Sequence, residues 1–247
     1  MHLADRSAKI LVFGLGRLGA FLVNELSSDF EVLGTKTQGP LSPSIKPFRL
    51  GGPLPELDKN MAFVIWCIPP RPQYRESLVL ANDYFLTQTP FIFVSSTSVY
   101  RSEGIKTEDS DRDGKPNIIE LEDTIKSFSR RTSIIRPSGL VDEQRHPKKF
   151  FKDNTSPEGG DSPVNLVHTE DVARFIAFLI RKDLVGEDFN LASDTHISKR
   201  DFYNELRDEP LQFRSIGSVQ RIITSNKAKS FGFDFKHKDL LKYFTKK

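Results

Sequence analysis

The sequence predicts an α/β fold in which a parallel sheet is covered by helices on both faces. Two observations carry that reading: apolar runs of strand length alternate with segments of helical period, and the strand runs are continuous rather than alternating. A strand that is apolar at every position is buried on both sides, which parallel sheets achieve through their crossover helices. A third observation limits the sheet. After Leu140 the pattern gives way to a loop rich in Lys, Pro, Gly and Asp, from Asp142 to Pro163. We therefore expect a doubly wound core over 1–140. Over 141–247 we expect a mixed segment that returns a strand and a helix to that core and forms a small C-terminal substrate lobe.

In order, the expected strands are "KILVF" (9–13), "EVLG" (31–34), "AFVIWCI" (62–68), "FIFVSS" (91–96) and "TSIIRP" (132–137). The first helix places Leu18, Phe21, Leu22 and Leu26 on one face, and a later one does the same with Ile118, Leu121, Ile125 and Phe128. "VNLVH" (164–168) leads into a helix whose core face is Val172, Phe175, Ile176 and Leu179. Thr169 is placed to cap that helix, with Glu170 and Asp171 at its positive end and Arg181 and Lys182 at its negative end. "EDFNLA" (187–192) reads as another strand, and Ser198 with Asp201 forms a capping arrangement for the helix that runs to Leu206. From Pro210 onward short irregular elements build the lobe.

Composition restricts function. A formal charge of +3 over 247 residues gives no case for a nucleic-acid partner. The segment from Thr195 onward carries twelve Lys/Arg against six Asp/Glu, which we read as solvated helix faces. Cys67 is the only cysteine, so an internal disulfide is excluded, and its apolar setting suggests a buried thiol in a reducing compartment. No apolar run approaches the ~18 residues a membrane span needs, and no targeting segment is evident at Met1 to Lys9. A soluble, cytoplasmic protein without a membrane partner is expected.

"VFGLGRLG" sets Gly14, Gly16 and Gly19 between the first strand and the first helix, the arrangement of a Rossmann-type dinucleotide site. Gly14 permits the tight turn, Gly16 lets backbone N–H groups of the loop (Leu15, Arg17, Leu18) approach a pyrophosphate, and Gly19 lets the helix press on the strand. At the end of the second strand an acid would receive the ribose hydroxyls of NAD, but the residues are Gly34, Thr35, Lys36 and Thr37. Lys36 with these hydroxyls, joined by Arg17, suits the extra phosphate of NADP, with NAD as the other possibility. In "CIPPRP" (67–72), Ile68, Pro69 and Pro70 form either a stiff wall beside the adenosine half of the cofactor or a rigid loop before the helix at Tyr74.

With these segments stand "VSSTSVY", "IIRPSGL", "NLVHTEDVA" and "FNLASDTHISKRDFY". Together they resemble the extended and atypical short-chain dehydrogenase/reductases, the group that contains nucleotide-sugar epimerases and dehydratases. The resemblance spans most of the chain. It implies that Ser95, Ser96 and Thr97 lie beside the nicotinamide, that Ser96 polarises a substrate oxygen, and that Arg136, Pro137 and Ser138 lie over the other nicotinamide face. Thr97, Arg145 and His146 are then substrate-side candidates, with Lys148, Lys149 and Lys152 near a phosphorylated or carboxylated ligand; a solvated basic loop is the other reading.

The family's Tyr-x-x-x-Lys pair is missing from "DRDGKPNIIELEDTIKS" (111–127). A phenol is a poor base at neutral pH until a cation stabilises its anion, so the loss matters. The match at Tyr243 and Lys247 lies at the far C-terminus and is read as coincidence. Tyr100 is the candidate for proton transfer closest in sequence to the shelf, but the resemblance places it at a position that usually packs, and packing is the preferred reading. His146 and His168 are further candidates, and His168 is better placed to cap or pack. The usual "YGPG" is replaced by Val141, Asp142, Glu143 and Gln144. Glu103, Glu108, Asp109, Asp111 and Asp113 lack the pattern of a calcium loop, and no metal is expected. The function expected is an NADP-dependent oxidoreductase or epimerase-like enzyme on a small polar or nucleotide-linked substrate; the alternative is a non-catalytic NADP sensor. A hydroxyacid dehydrogenase is disfavoured because its second domain would be all-helical. The oligomeric state is not legible.

Overall fold

The computed structural model describes residues 7–71, 73–128, 130–153 and 155–245. Pro72 and Lys247, which belong to segments discussed above, lie outside the described residues, as do 1–6.

The elements follow in chain order: β1 (Lys9–Phe13), α1 (Arg17–Leu26), β2 (Glu31–Lys36), β3 (Ile45–Pro47), β4 (Phe63–Trp66), α2 (Tyr74–Tyr84), β5 (Phe91–Val94), β6 (Gly104–Lys106), α3 (Pro116–Lys126), β7 (Thr132–Pro137), β8 (Gly139–Val141), β9 (Leu166–His168), α4 (Thr169–Arg181), β10 (Phe189–Leu191), α5 (Lys199–Glu205), β11 (Arg221–Ile223), α6 (Asn226–Ser230) and α7 (Leu240–Thr245). The central sheet has seven strands in the order β10-β7-β5-β4-β1-β2-β3. Parallel pairing joins β1 to β2 and β4, β2 to β3, β4 to β5, and β5 to β7. The order reverses on either side of β1, which is where doubly wound sheets open a crevice at their carboxyl edge.

The chain forms two compact units. The first comprises 1–95, 117–135 and 173–188, and the second 96–116, 136–172 and 189–247. The two units interleave along the chain, and 173–188, which carries most of α4, belongs to the first.

In the first unit Ile10, Leu11, Val12, Phe13, Val64, Ile65 and Trp66 are fully buried, as uninterrupted apolar strands require. Its core is aromatic: Phe13 packs on Trp66 at 4.6 Å between ring centroids and on Phe48 at 5.2 Å. Phe85, Phe91, Tyr74 and Phe93 extend the cluster. Burial of such rings contributes roughly 1.5–3 kcal/mol each.

The second unit has its own apolar cluster, in which Val141, Leu166, Phe202, Phe213, Leu240 and Phe244 meet. Two short parallel pairs, β8 with β9 and β6 with β11, lie in this unit. Helix α4 departs from the one-faced pattern expected of it. Beside Val172, Phe175, Ile176 and Leu179, the residues Ala173, Ala177 and Ile180 are also fully buried, so it is a core helix rather than a surface one.

Candidate functional site

Within the first unit the glycine loop is built as its spacing requires. Gly14 has φ +91°, a left-handed conformation that glycine tolerates best. A Cβ on Gly19 would stand 2.5 Å from the Gly14 carbonyl oxygen, so only glycine lets α1 press this closely on the turn. A Cβ on Gly16 would meet nothing within 4 Å, which leaves open space in front of that backbone. Gly16 is also the N-cap of α1 and makes no side-chain cap hydrogen bond. The first turn thus presents amide donors and the positive end of a ten-residue helix to whatever occupies that space.

Thr35 has a different part from the one expected. It is 1 % exposed, its hydroxyl accepts the Gly14 N–H at 3.1 Å, and its carbonyl accepts the Leu15 N–H at 2.8 Å. The residue ties the loop to β2 instead of facing a ligand, and it takes the Leu15 amide out of the donor set. Gly34 is explained by the same packing, because a Cβ there would lie 2.3 Å from the Leu15 side chain. Leu18 is buried in the helix–sheet seam, whereas Arg17 is exposed. Lys36 is half-buried, and among the described residues its ammonium has no hydrogen-bond or ion-pair partner.

Beyond β4, Ile68 lies against the loop: its Cγ1 would be 2.9 Å from a Cβ on Gly14. Its carbonyl accepts the Tyr74 hydroxyl at 2.7 Å, and Pro69 and Pro70 are exposed. Cys67 is half-buried rather than enclosed, and desolvation of its sulfur pushes the thiol pKa up. Ser95 closes β5, and its hydroxyl donates to Glu122 Oε1 at 2.5 Å. Glu122, on α3, is fully buried. Sequence reasoning missed it because a glutamate in a helix ordinarily faces water; the only clue was the burial of its helical neighbours Ile118, Leu121 and Ile125.

In the second unit Ser96 N-caps a short 3-10 turn at Thr97–Val99 by accepting the Ser98 N–H at 3.2 Å, which leaves its own O–H to donate. Thr97 is buried. Tyr100 is 1 % exposed, donates its hydroxyl to Asn190 Oδ1 at 3.1 Å, and accepts from Arg136 Nη1 at 3.3 Å. Its hydroxyl is hydrogen-bonded on both sides and its ring is enclosed. Arg136 is correspondingly turned inward and is 3 % exposed. Pro137 is buried, as is Ser138, whose hydroxyl has no hydrogen-bond partner within the protein.

Arg145 lies over the Phe150 ring at 5.4 Å. His146 accepts the Lys148 N–H through Nδ1 at 3.1 Å and packs on Phe244 at 4.7 Å. The acidic loop is more than a solvated surface. Asp113 accepts the amides of Arg101 and Ser102, which lowers its pKa to about 2, Glu108 accepts the Asn190 amide, and Glu103 that of Gln220.

His168 is the cap of α4: its Nδ1 accepts the Glu170 N–H at 3.2 Å, one of the two roles expected of it, where Thr169 was also expected to cap. The Thr169 hydroxyl bonds instead to Asp142 and the Val141 carbonyl. His237 stacks on His168 at 3.8 Å and meets Glu170 at 2.8 Å. Ligand atoms of His168, Glu170 and His237 converge within 4.8 Å. With Nδ1 accepting an amide, a neutral His168 carries its proton on Nε2, so the cluster reads as a helix cap beside a hydrogen-bonded His237–Glu170 pair rather than a ligand set. Tyr243 packs edge-on against both histidines and bonds to Glu143, a packing role.

No family model matches the chain. The protein YeeZ of Escherichia coli K12 is 34 % identical over 163 residues, covering 61 % of this chain and 59 % of YeeZ, so the match spans less than two thirds of that relative. Among solved structures, a conserved protein of unknown function from Silicibacter pomeroyi superposes with a TM-score of 0.76 at 16 % identity, over 97 % of this chain and 99 % of the other. Human epimerase family protein SDR39U1 with NADPH superposes with a TM-score of 0.73 at 12 % identity, over 96 % and 99 %. The chain shares its fold with both of these proteins. At these identities the likeness concerns the fold, and among the described residues no helix is long and apolar enough to cross a membrane.

Proposed function

We propose that this chain is an atypical short-chain dehydrogenase/reductase that binds NADP at its glycine loop. We assign it an oxidoreductase or epimerase/dehydratase-like activity on a small polar or nucleotide-linked substrate. The observation that carries the reading is the uncapped start of α1, with open space before Gly16 and α1 pressed onto Gly14 through Gly19. Lys36, without a partner among the described residues, supports NADP over NAD. The orphaned Ser138 hydroxyl is a further polar group in want of a ligand.

When bound, the dinucleotide supplies hydride transfer. The chain's own contribution is to hold the diphosphate on α1 amides and to offer the Ser96 O–H to a substrate oxygen. A second reading, cofactor binding without redox turnover, draws on the enclosure of Tyr100 and on the absence of a tyrosine from α3.

Fluorescence titration with NADPH and NADH tests the binding. Saturation by NADPH, weakened about tenfold by Lys36→Ala while NADH is unaffected, is expected; saturation by neither removes both readings. A carbonyl and nucleotide-sugar screen repeated with Ser96→Ala then separates them. Turnover lost in the variant supports the enzyme, and turnover unaffected by the change removes Ser96 from the mechanism. NADPH binding with no turnover on any substrate favours the sensor.

A further inference from the structure

A fully buried carboxyl group stands behind the end of β5. Glu122 lies on the face of α3 that also carries the buried Ile118, Leu121 and Ile125, where a polar side chain is costly unless hydrogen bonds compensate it. One such bond comes from Ser95, whose hydroxyl donates to Glu122 Oε1 at 2.5 Å. The Ser95 amide donates to the Ile135 carbonyl at 2.7 Å, so the backbone and the side chain of this residue are both held. Ser95 itself is half-buried, which makes it the exposed end of the pair.

An unconstrained serine can give or take a hydrogen bond, because its O–H turns to suit the neighbour. With its proton committed to Glu122, Ser95 has only oxygen lone pairs to offer. Whatever meets it must bring the hydrogen. The place of Ser95 in the sheet says which part of a ligand that is. β5 stands two strands from β1, on the side away from β2, or about 10 Å at the spacing of neighbouring strands. A dinucleotide with its diphosphate at the glycine loop turns its adenosine ribose towards the end of β2, so its other nucleoside runs across β4 towards β5.

We propose that Glu122 is a positioning residue: it holds the Ser95 proton inward, so that Ser95 accepts a hydrogen bond from the nicotinamide nucleoside half of the cofactor. The donor is an uncharged group, either the carboxamide N–H or a ribose hydroxyl. The inference rests on the binding of NADP at the glycine loop and assigns a task there to a side chain that neither reading employs.

Titration calorimetry with three probes tests it: oxidised NADP, its 3-acetylpyridine analogue, which has no carboxamide N–H, and adenosine 2′,5′-bisphosphate, which lacks the second nucleoside. Ser95→Ala should weaken NADP about three- to tenfold, the loss of one neutral hydrogen bond, and leave the bisphosphate unaffected. A matching loss for the acetylpyridine analogue identifies a ribose hydroxyl as the donor, and no loss identifies the carboxamide. Glu122→Gln should weaken NADP as Ser95→Ala does, and should add nothing in the Ser95→Ala background, because it acts through that hydroxyl. NADP affinity unchanged in Ser95→Ala, an equal loss for the bisphosphate, or a further loss of NADP affinity in the double variant overturns the inference. Should Glu122→Gln fail to fold, Glu122→Asp takes its place with the same expectation, and an unchanged NADP affinity in Ser95→Ala is decisive by itself. Failure of the wild type to bind either NADP or the bisphosphate removes the cofactor reading as well, a result distinct from NADP binding that ignores Ser95.

Discussion

One hydroxyl at the end of β2 fixes the shape of the glycine loop. Thr35 is buried because its oxygen satisfies the Gly14 N–H in a turn that no other described backbone group completes. A threonine beside a lysine reads in sequence as a pair of ligand contacts; only the direction of the side chain separates them, and direction depends on pleat and register. Thr35→Val keeps the shape and removes the acceptor, so it should destabilise the chain by about 1–3 kcal/mol, read as a lowered urea midpoint with unchanged slope. An unchanged midpoint would mean that the Gly14 amide finds another partner. Glu122 and Tyr100 were hidden for a related reason. Residue type alone does not say that a helical glutamate is buried against Ser95, or that a tyrosine near the serine shelf has its hydroxyl engaged by Asn190.

Helices here end and begin on side chains distant in sequence. Arg130 lies at the C-terminus of α2: its Nε donates to Asn82 Oδ1 at 2.8 Å, and its Nη groups reach the carbonyls of Asn82, Phe85, Leu86 and Thr89. A cation at that end also meets the negative pole of the helix. Arg130→Ala should cost about 2 kcal/mol or more, and a thermal midpoint equal to that of the wild type would contradict this account.

At the start of α4 the cap is a histidine whose pKa is lowered to about 4 by burial and then by His237, against the raising influence of Glu143, Asp171 and Glu170. The unfolded chain takes up that proton near 6.5 and the native state only near 4. The stabilisation is therefore complete above the first value and lost as pH falls towards the second. Urea midpoints measured across this range should fall, and His168→Gln should flatten the fall; an identical slope in the variant would remove His168 from the acid response. Five strands with continuous apolar runs were legible from sequence, as were the helices that alternate with them. The three-residue strands β3, β6, β8 and β11 were not, since they are held by pairing rather than by local preference.

For the molecule as a whole, the parallel, doubly wound sheet was implied by pattern. The chain enters the second unit at Ser96, leaves it after Pro116 and re-enters it at Arg136, so neither unit corresponds to one contiguous stretch of sequence. The account rests on the start of α1 as an anion cradle. Gly16→Ala tests this most directly, because the added methyl has open space within the protein and can collide only with a ligand. We expect its Tm without nucleotide to match that of the wild type, while NADPH affinity by titration calorimetry falls about tenfold or more. Equal NADPH affinity in the two proteins, or no NADPH binding by the wild type, would contradict the account.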